Sequence, residues 1–191
     1  RLTLVTGVQT CALPIYNFMK TKKMVFLGLM VGYSLVLYIL ETYIPNPFMV
    51  FFPGAKLGLT NIVTLIALLI FGLKETFIIV TVRVILSSIF AGPMTYLLFS
   101  IGGAYLSLIL MYIVSKIKGF STIGISIVGA IGHNIGQLLV ASVLMENLLV
   151  ITYLPFMLVT SLVTGCFVGL VVRFCYPKMQ KLTSPFIKTT L

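Results

Sequence analysis

Residues 24–42 read MVFLGLMVGYSLVLYILET, an apolar stretch with one charged side chain near its end. A helix needs about 20 mostly apolar residues to cross the hydrocarbon core of a bilayer, so this stretch predicts a transmembrane helix. Five further apolar runs, separated by turn residues or charges, cover 57–72, 75–91, 93–115, 121–144 and 148–173. We therefore expect an all-α integral membrane protein, a bundle of six transmembrane helices.

The composition agrees with a lipid environment. Of the 191 residues 60% are hydrophobic and 8% are charged, whereas soluble domains average about 25% charged residues. The net charge of +10 comes from lysines and arginines clustered between the apolar runs, without a basic stripe interleaved with aromatic residues. This pattern is typical of topology signals and argues against a nucleic-acid partner.

The distribution of basic residues predicts the orientation of the bundle. If the N-terminus is inside, Lys56 is the one lysine or arginine outside the apolar runs that falls on the outer side. The inner side then holds Lys20, Lys22, Lys23, Lys74, Lys116, Lys118, Arg173, Lys178, Lys181 and Lys188. Cytoplasmic loops carry the excess of basic residues, so we expect both termini to be cytoplasmic, which six spans allow.

Three segments make up the chain. Residues 1–18 precede Met19 and a lysine cluster, and their stretch LVTGVQTCALPI resembles a translated sequencing adapter, so we interpret 1–18 as a non-native segment. Residues 19–175 form the predicted six-helix transmembrane domain. Residues 176–191 are expected to form a basic cytoplasmic tail.

Polar residues at membrane depth are the candidates for function, because an ionisable group at a helix centre costs at least about 2.5–3.5 kcal/mol on insertion scales. At 1.5 Å per residue, they fall in the middle and outer part of the bundle. The candidates are Asn61, Arg83, His133, Asn134 and Gln137, together with Lys56 at the outer end of the second helix. The alternative is that they join helices by hydrogen bonds.

The positions of the acidic residues favour a functional role for these candidates over hydrogen bonding between helices. Glu41 and Glu146 lie near the predicted outer helix ends and Glu75 near an inner end, so we expect no acid in mid-membrane to neutralise Arg83. Unpaired cationic groups in a bundle predict a site for an anionic or strongly polar group. We expect the aromatic side chains of Phe48, Phe51 and Phe52 to close over its less polar part.

Glycines give a second signal, since small residues four apart let helices approach closely. Gly129, Gly132 and Gly136 predict packing of the fifth helix inside the bundle. For Gly28 and Gly32 on the first helix, packing inside the bundle and docking to a partner subunit both remain open.

Missing residues exclude several chemistries. The chain has no aspartate, whereas a prenyl diphosphate synthase needs aspartate-rich clusters to hold magnesium. It also has no G-x-x-x-x-G-K-[ST] phosphate loop and no Cys/His cluster for a metal. We therefore expect no catalytic residues, no cofactor and no metal site, and any transport must draw its energy from a partner or a gradient.

Three stretches carry a resemblance to a known family: PGAKLGLTNIVTLIAL (53–68), RVILSSIFAGP (83–93) and GAIGHNIGQLLVA (129–141). Together they resemble the bacterial Gx transporter family, also labelled heptaprenyl diphosphate synthase component I, over about residues 24–175. That family is similar to the six-helix substrate-binding subunits (S components) of energy-coupling factor transporters, which dock on a transmembrane subunit driven by two ATPases.

The resemblance implies a multi-pass protein of the bacterial cell membrane that captures a small molecule from outside. It implies ligand contacts by Lys56, Asn61, Arg83, His133, Asn134 and Gln137, and docking through small residues on the first helix, here Gly28 and Gly32. Two alternatives remain open: a non-catalytic membrane accessory subunit of polyprenyl diphosphate or quinone synthesis, and a structural or electron-transfer membrane component.

Overall fold

The computed structural model describes residues 4–43, 58–91 and 94–187, and within them the side chains of 21–41, 43, 58–90 and 97–184. Six α-helices occupy the six apolar runs, and these ranges contain no strand. They are α1 (Leu4–Tyr43), α2 (Asn61–Phe71), α3 (Leu73–Ala91), α4 (Met94–Ser115), α5 (Thr122–Leu144) and α6 (Leu154–Ile187), with a 3-10 helix at Leu148–Tyr153 before α6. The predicted all-α six-helix fold is confirmed.

Four stretches among the described residues are long and apolar enough to cross a membrane: 21–41, 97–115, 122–144 and 148–184. Helix α2 is apolar but has only 11 residues. Helix α3 has 19 residues and carries Lys74, Glu75 and Arg83 among its apolar side chains. The structure thus supports a polytopic membrane protein, while the cytoplasmic placement of the termini stays a prediction.

The two terminal helices extend beyond their apolar runs. Helix α1 begins at Leu4, inside the segment interpreted as non-native, and that interpretation stays a prediction. Helix α6 continues to Ile187, so most of the expected basic tail is helical. The extension is held by packing, because Cys175, Tyr176 and Met179 lie against the main hydrophobic core and Thr183 is fully buried.

The turn between α2 and α3 consists of Gly72 alone. Its φ of 86° is a left-handed conformation that favours glycine. Its N–H donates to Leu68 O, and its carbonyl accepts from the N–H and the hydroxyl of Thr76. This short turn makes α2 and α3 antiparallel neighbours.

Helix α5 packs closely between α4 and α6 because glycines line both contacts. A methyl group added at Gly132 would lie 2.6 Å from Leu110 Cδ1, and one added at Gly136 would lie 2.6 Å from the carbonyl carbon of Gly102. On the other side, a methyl group at Gly165 of α6 would lie 2.6 Å from Ile127 Cα. The contacts at Gly136 and Gly165 are with backbone atoms, which cannot move aside as a side chain can, so the predicted packing role of the α5 glycines is confirmed.

The two ends of the bundle differ in polarity. The middle, and the part towards the α2–α3 turn, are filled by fully buried apolar side chains, namely Leu65, Ile79, Val80, Leu108 and Met111. At the opposite end, where α1 ends and α2 begins, buried polar side chains gather. This second end holds the candidate site.

Candidate ligand-binding site

A cavity opens between the helices at the end of the bundle where α1 ends and α2 begins. It is lined by Tyr38, Glu41, Thr60, Arg83, Val84, Ser87, Ser100, His133 and Gln137. It contains about 290 Å³ of empty space when its open mouth is counted, and the enclosed part is no larger than one water molecule. Eight of the nine lining side chains are polar, so the cavity suits a polar occupant.

Arg83 is the central charge of this cavity. It lies on α3 and is 3% exposed, and its Nε is buried without a hydrogen-bond partner in the described part of the chain. The salt bridge that the described residues contain joins Lys23 and Glu75, 2.7 Å apart, at the other end of the bundle. The Arg83 guanidinium is therefore desolvated, and the described residues do not supply the direct ion pair that usually accompanies a buried charge.

Glu41 lies on the same cavity, and the expectation that no acid accompanies Arg83 is wrong. Its carboxylate is 3% exposed, accepts a hydrogen bond from the Gly58 N–H and attracts the Arg83 guanidinium. Depth counted along a helix axis does not say which way a side chain points. The buried face of α1 runs through Met30, Ser34 and Tyr38 to Glu41, at the three- and four-residue spacing of one helix face.

His133 and Gln137 meet in the cavity, as their spacing of four predicts. Their Nε2 atoms lie 3.1 Å apart, and both side chains are buried. Gly103 of α4 makes room for them, because a methyl group there would lie 3.0 Å from both Gln137 Cγ and His133 Cε1. The glycine on α4 therefore positions two polar side chains of α5.

Asn61 adjoins the cavity from the start of α2. It is 2% exposed, and neither atom of its amide has a hydrogen-bond partner among the residues described. Gly58, with a φ of 85°, separates it from the ring of His133: a methyl group at Gly58 would lie 3.0 Å from Asn61 Nδ2 and 3.3 Å from His133 Cδ2. The neighbouring Thr60 lines the cavity itself.

Asn134 faces a different direction. Its Nδ2 donates to Met157 O at 3.1 Å and to Ser161 Oγ at 2.7 Å, which joins α5 to α6. This is the interhelical hydrogen bonding that the sequence left open as an alternative. Asn134 is not part of the cavity lining, and its ligand-binding role stays an untested prediction.

Lys56, Phe48, Phe51 and Phe52 lie outside the described residues, so their predicted roles at the site stay predictions. The described part of the chain holds no group of three or more His, Cys, Asp or Glu side chains that could bind a metal ion.

Five polar lining residues were missed by sequence reasoning: Tyr38, Glu41, Thr60, Ser87 and Ser100. Hydroxyl groups are common on membrane helices because they can bond to the helix's own carbonyls, as the Ser87 hydroxyl does with Val84 O at 2.9 Å. A hydroxyl by itself therefore carries little signal. The buried face of α1 could have identified Tyr38 and Glu41.

A six-helix bundle with several membrane-crossing stretches and a buried polar cavity at one end defines a polytopic integral membrane protein. A family model described as heptaprenyl diphosphate synthase component I, the Gx transporter family, matches residues 30–175. The chain belongs to this family, and the match includes all three stretches that carried the resemblance. No curated protein and no solved structure matches the chain.

Proposed function

We propose that the chain is the substrate-binding subunit of an energy-coupling factor type transporter in a bacterial cell membrane. In this proposal the cavity captures a small polar or anionic molecule from the outer face. The observation that carries it is Arg83, a buried guanidinium in a polar cavity with an unpartnered Nε among the described residues. Such an arrangement is costly in a bundle unless something is bound there.

Energetics favour a ligand over a purely structural role for Arg83. A buried polar atom left without a partner costs about 1–3 kcal/mol, so a residue that only joins helices should use its donors within the bundle. Asn134 does so, with two hydrogen bonds to α6. A charge-assisted hydrogen bond from Arg83 to a ligand contributes roughly 1.5–3 kcal/mol, which corresponds to about tenfold to a hundredfold in affinity.

The remainder of the molecule supports a subunit that depends on a partner. The apolar core below the cavity contains fully buried Leu65, Val80, Leu108 and Met111, and the sequence has no nucleotide-binding phosphate loop. On α1, Gly28 and Gly32 have no atom within 4 Å of an added methyl group among the described residues. We propose that this open face of α1 docks on a transmembrane coupling subunit.

Small molecules that copurify with the protein provide the test. The wild-type chain, Arg83→Gln and Arg173→Gln are purified in detergent, and bound small molecules are measured by mass spectrometry. Arg173 is exposed on α6, so its variant removes the same charge outside the cavity. We expect one compound to accompany the wild type and Arg173→Gln and to fall at least tenfold in Arg83→Gln. Equal amounts in all three preparations would contradict the proposal.

The family description favours a second function, that of a membrane accessory subunit in heptaprenyl diphosphate synthesis. Without aspartate this chain offers no magnesium-binding cluster for a diphosphate, so catalysis would reside in an aspartate-rich partner chain. Prenyl transfer by such a partner, assayed with and without this chain in membranes, tests this function. Stimulation that survives Arg83→Gln would favour it over ligand capture.

A further inference from the structure

We infer that the end of the bundle opposite the cavity binds anionic phospholipid through a basic surface formed by the α4–α5 connection and the C-terminal end of α6. This basic surface consists of Lys116, Lys118, Lys178 and Lys181, which are all exposed. The proposed occupant is the phosphate headgroup of a lipid in the leaflet around this end. The inference goes beyond the proposed function and does not depend on it.

The packing of α6 against α5 brings the two parts of the basic surface to the same end of the bundle. A methyl group at Gly169 of α6 would lie 2.7 Å from Ile123 Cα, one residue after α5 begins. Since α6 runs antiparallel to α5, the residues after Gly169 pass the α4–α5 connection (116–121) and continue beyond it. The lysines of α6 therefore lie at the same end as those of the connection.

The position of these lysines along the membrane normal matches the lipid headgroups. At 1.5 Å per residue, α6 rises about 30 Å from Leu154 to Phe174, which is the thickness of the hydrocarbon core. Helix α6 continues to Ile187, so Lys178 and Lys181 follow at the level of the headgroups and just beyond them. A flexible lysine side chain can reach back from there to a lipid phosphate.

The exposed face at the C-terminal end of α6 combines basic and apolar side chains. Phe174 and Leu182 are each more than half exposed, and Lys178 and Lys181 lie between them at the three- and four-residue spacing of one helix face. The opposite face packs against the main hydrophobic core. Apolar side chains beside lysines suit a surface that contacts acyl chains and phosphates together.

The α4–α5 connection has the same mixture of side chains. Ile117 and Phe120 are about half exposed on either side of Lys118. The ammonium group of Lys116 lies 5.2 Å from the centre of the Tyr112 ring, a contact that holds the group without neutralising its charge. An acidic protein surface would require the charges alone, so the exposed apolar side chains favour a lipid.

The basic surface has no acidic counterpart in this chain. The sequence contains three acidic residues. Glu75 accepts a hydrogen bond from Lys23 at 2.7 Å, and Glu41 and Glu146 belong to the opposite end of the bundle. Because these are all the acidic residues of the sequence, no other part of the chain can neutralise the basic surface. Anionic lipids supply the missing negative charge, as they do for basic segments next to membrane-spanning helices.

Lipid binding to the full chain in detergent tests the inference. Native mass spectrometry measures the binding of phosphatidylglycerol and of phosphatidylcholine with identical acyl chains, at equal concentration and low ionic strength. We expect the wild type to bind phosphatidylglycerol at least tenfold more tightly. Raising the salt concentration from about 0.05 M to about 0.5 M should reduce this preference, because salt screens exposed charges.

Charge variants assign the binding to the basic surface. Each basic residue near an anionic membrane surface contributes a factor of about five in affinity, so the double variant Lys178→Gln and Lys181→Gln should bind phosphatidylglycerol about twentyfold more weakly. Its binding of phosphatidylcholine and its melting temperature should not change. The matched control, Lys178→Arg with Lys181→Arg, keeps both charges and should bind as the wild type does. Lys116→Gln with Lys118→Gln should weaken binding in the same way as the glutamine variant of α6.

Three results would overturn the inference. The first is equal binding of the two lipids by the wild type, which would favour an acidic partner protein as the occupant. The second is unchanged binding of phosphatidylglycerol in both glutamine variants. The third is an equal loss of binding in the glutamine and arginine variants of α6, which would show that charge is not what binds the lipid. None of these results concerns the small molecule in the cavity, so the proposed function is tested separately.

Discussion

Glycines recur at the same spacing on α1 and α5, but their surroundings are opposite. Gly28 and Gly32 have open space where a methyl group would be added, whereas methyl groups at Gly132 and Gly136 would overlap α4. On α5 the close approach is shared, because Gly102 of α4 faces Gly136: a methyl group at Gly102 would lie 2.7 Å from Gly136 O. A glycine spacing permits close packing, and the neighbouring helix decides whether packing occurs.

The side chains around the two sets of glycines differ as well. Around Gly28 and Gly32, α1 exposes Val25, Leu29 and Tyr33, each more than half exposed. Around Gly136, α5 buries Gly132, His133 and Gln137. The α5 glycines thus allow the close packing of α5 against α4 beside the cavity. The α1 glycines lie on a face of α1 that the described part of the bundle does not cover.

The largest effect is expected at Gly136. In Gly136→Ala the new methyl group overlaps the backbone carbonyl of Gly102, which cannot rotate away as a flexible side chain can. Overpacking of this kind costs typically 1–3 kcal/mol, and we expect a loss at the upper end, about 3 kcal/mol. Unfolding in detergent measures it, with Gly32→Ala as the matched control that should change stability by less than about 1 kcal/mol. Equal losses would remove the contrast between the two helices.

A smaller effect is expected at Gly103, where a substitution should reduce ligand binding more than the free energy of unfolding. A methyl group there would lie 3.0 Å from Gln137 Cγ and from the ring of His133, so it meets side-chain atoms of the site and not the backbone. We expect Gly103→Ala to reduce the amount of copurifying ligand about tenfold, as expected for one lost polar contact. Its unfolding free energy should fall by less than that of Gly136→Ala, and a Gly103→Ala protein with full ligand occupancy would contradict this role.

The smallest effect on the isolated chain is expected at Gly32. Because nothing described lies within 4 Å of the added side chain, Gly32→Leu should leave both melting temperature and copurifying ligand unchanged. If α1 docks on a transmembrane coupling subunit as proposed, the larger leucine side chain should instead reduce recovery of that complex, measured by pull-down from membranes. Unchanged recovery would assign the open face of α1 to lipid.

Most of the fold could be predicted because helices that cross a lipid bilayer need long runs of apolar residues, which are easily recognised in the sequence. The α5 run expected at 121–144 is a helix at Thr122–Leu144, and the α3 run expected at 75–91 is a helix at Leu73–Ala91. The N-terminal limit of α1 and the C-terminal limit of α6 could not be predicted, because both helices continue past the basic residues at which their apolar runs end.

The lining of the cavity was predicted in part, and the differences from the predicted set of residues have one physical cause. Counting residues along a helix gives depth but not direction. Asn134 was grouped with His133 and Gln137, yet adjacent residues on an α-helix point about 100° apart, and Asn134 faces α6. Glu41 does lie near the end of α1, as expected, but its position along the helix did not show that its side chain lines the cavity of Arg83.

Binding of a ligand by Arg83 can be tested through the effect of ligand removal on the stability of the protein. Wild type and Arg83→Gln are each melted in detergent as purified and after exhaustive dialysis. A ligand that binds only the folded state stabilises it, and the stabilisation grows with the ratio of free ligand concentration to Kd. We therefore expect dialysis to lower the melting temperature of the wild type by several degrees and to leave that of Arg83→Gln nearly unchanged. If dialysis lowers both melting temperatures by the same amount, and Arg83→Gln is less stable by an equal margin in each state, Arg83 has a structural role and does not bind the ligand.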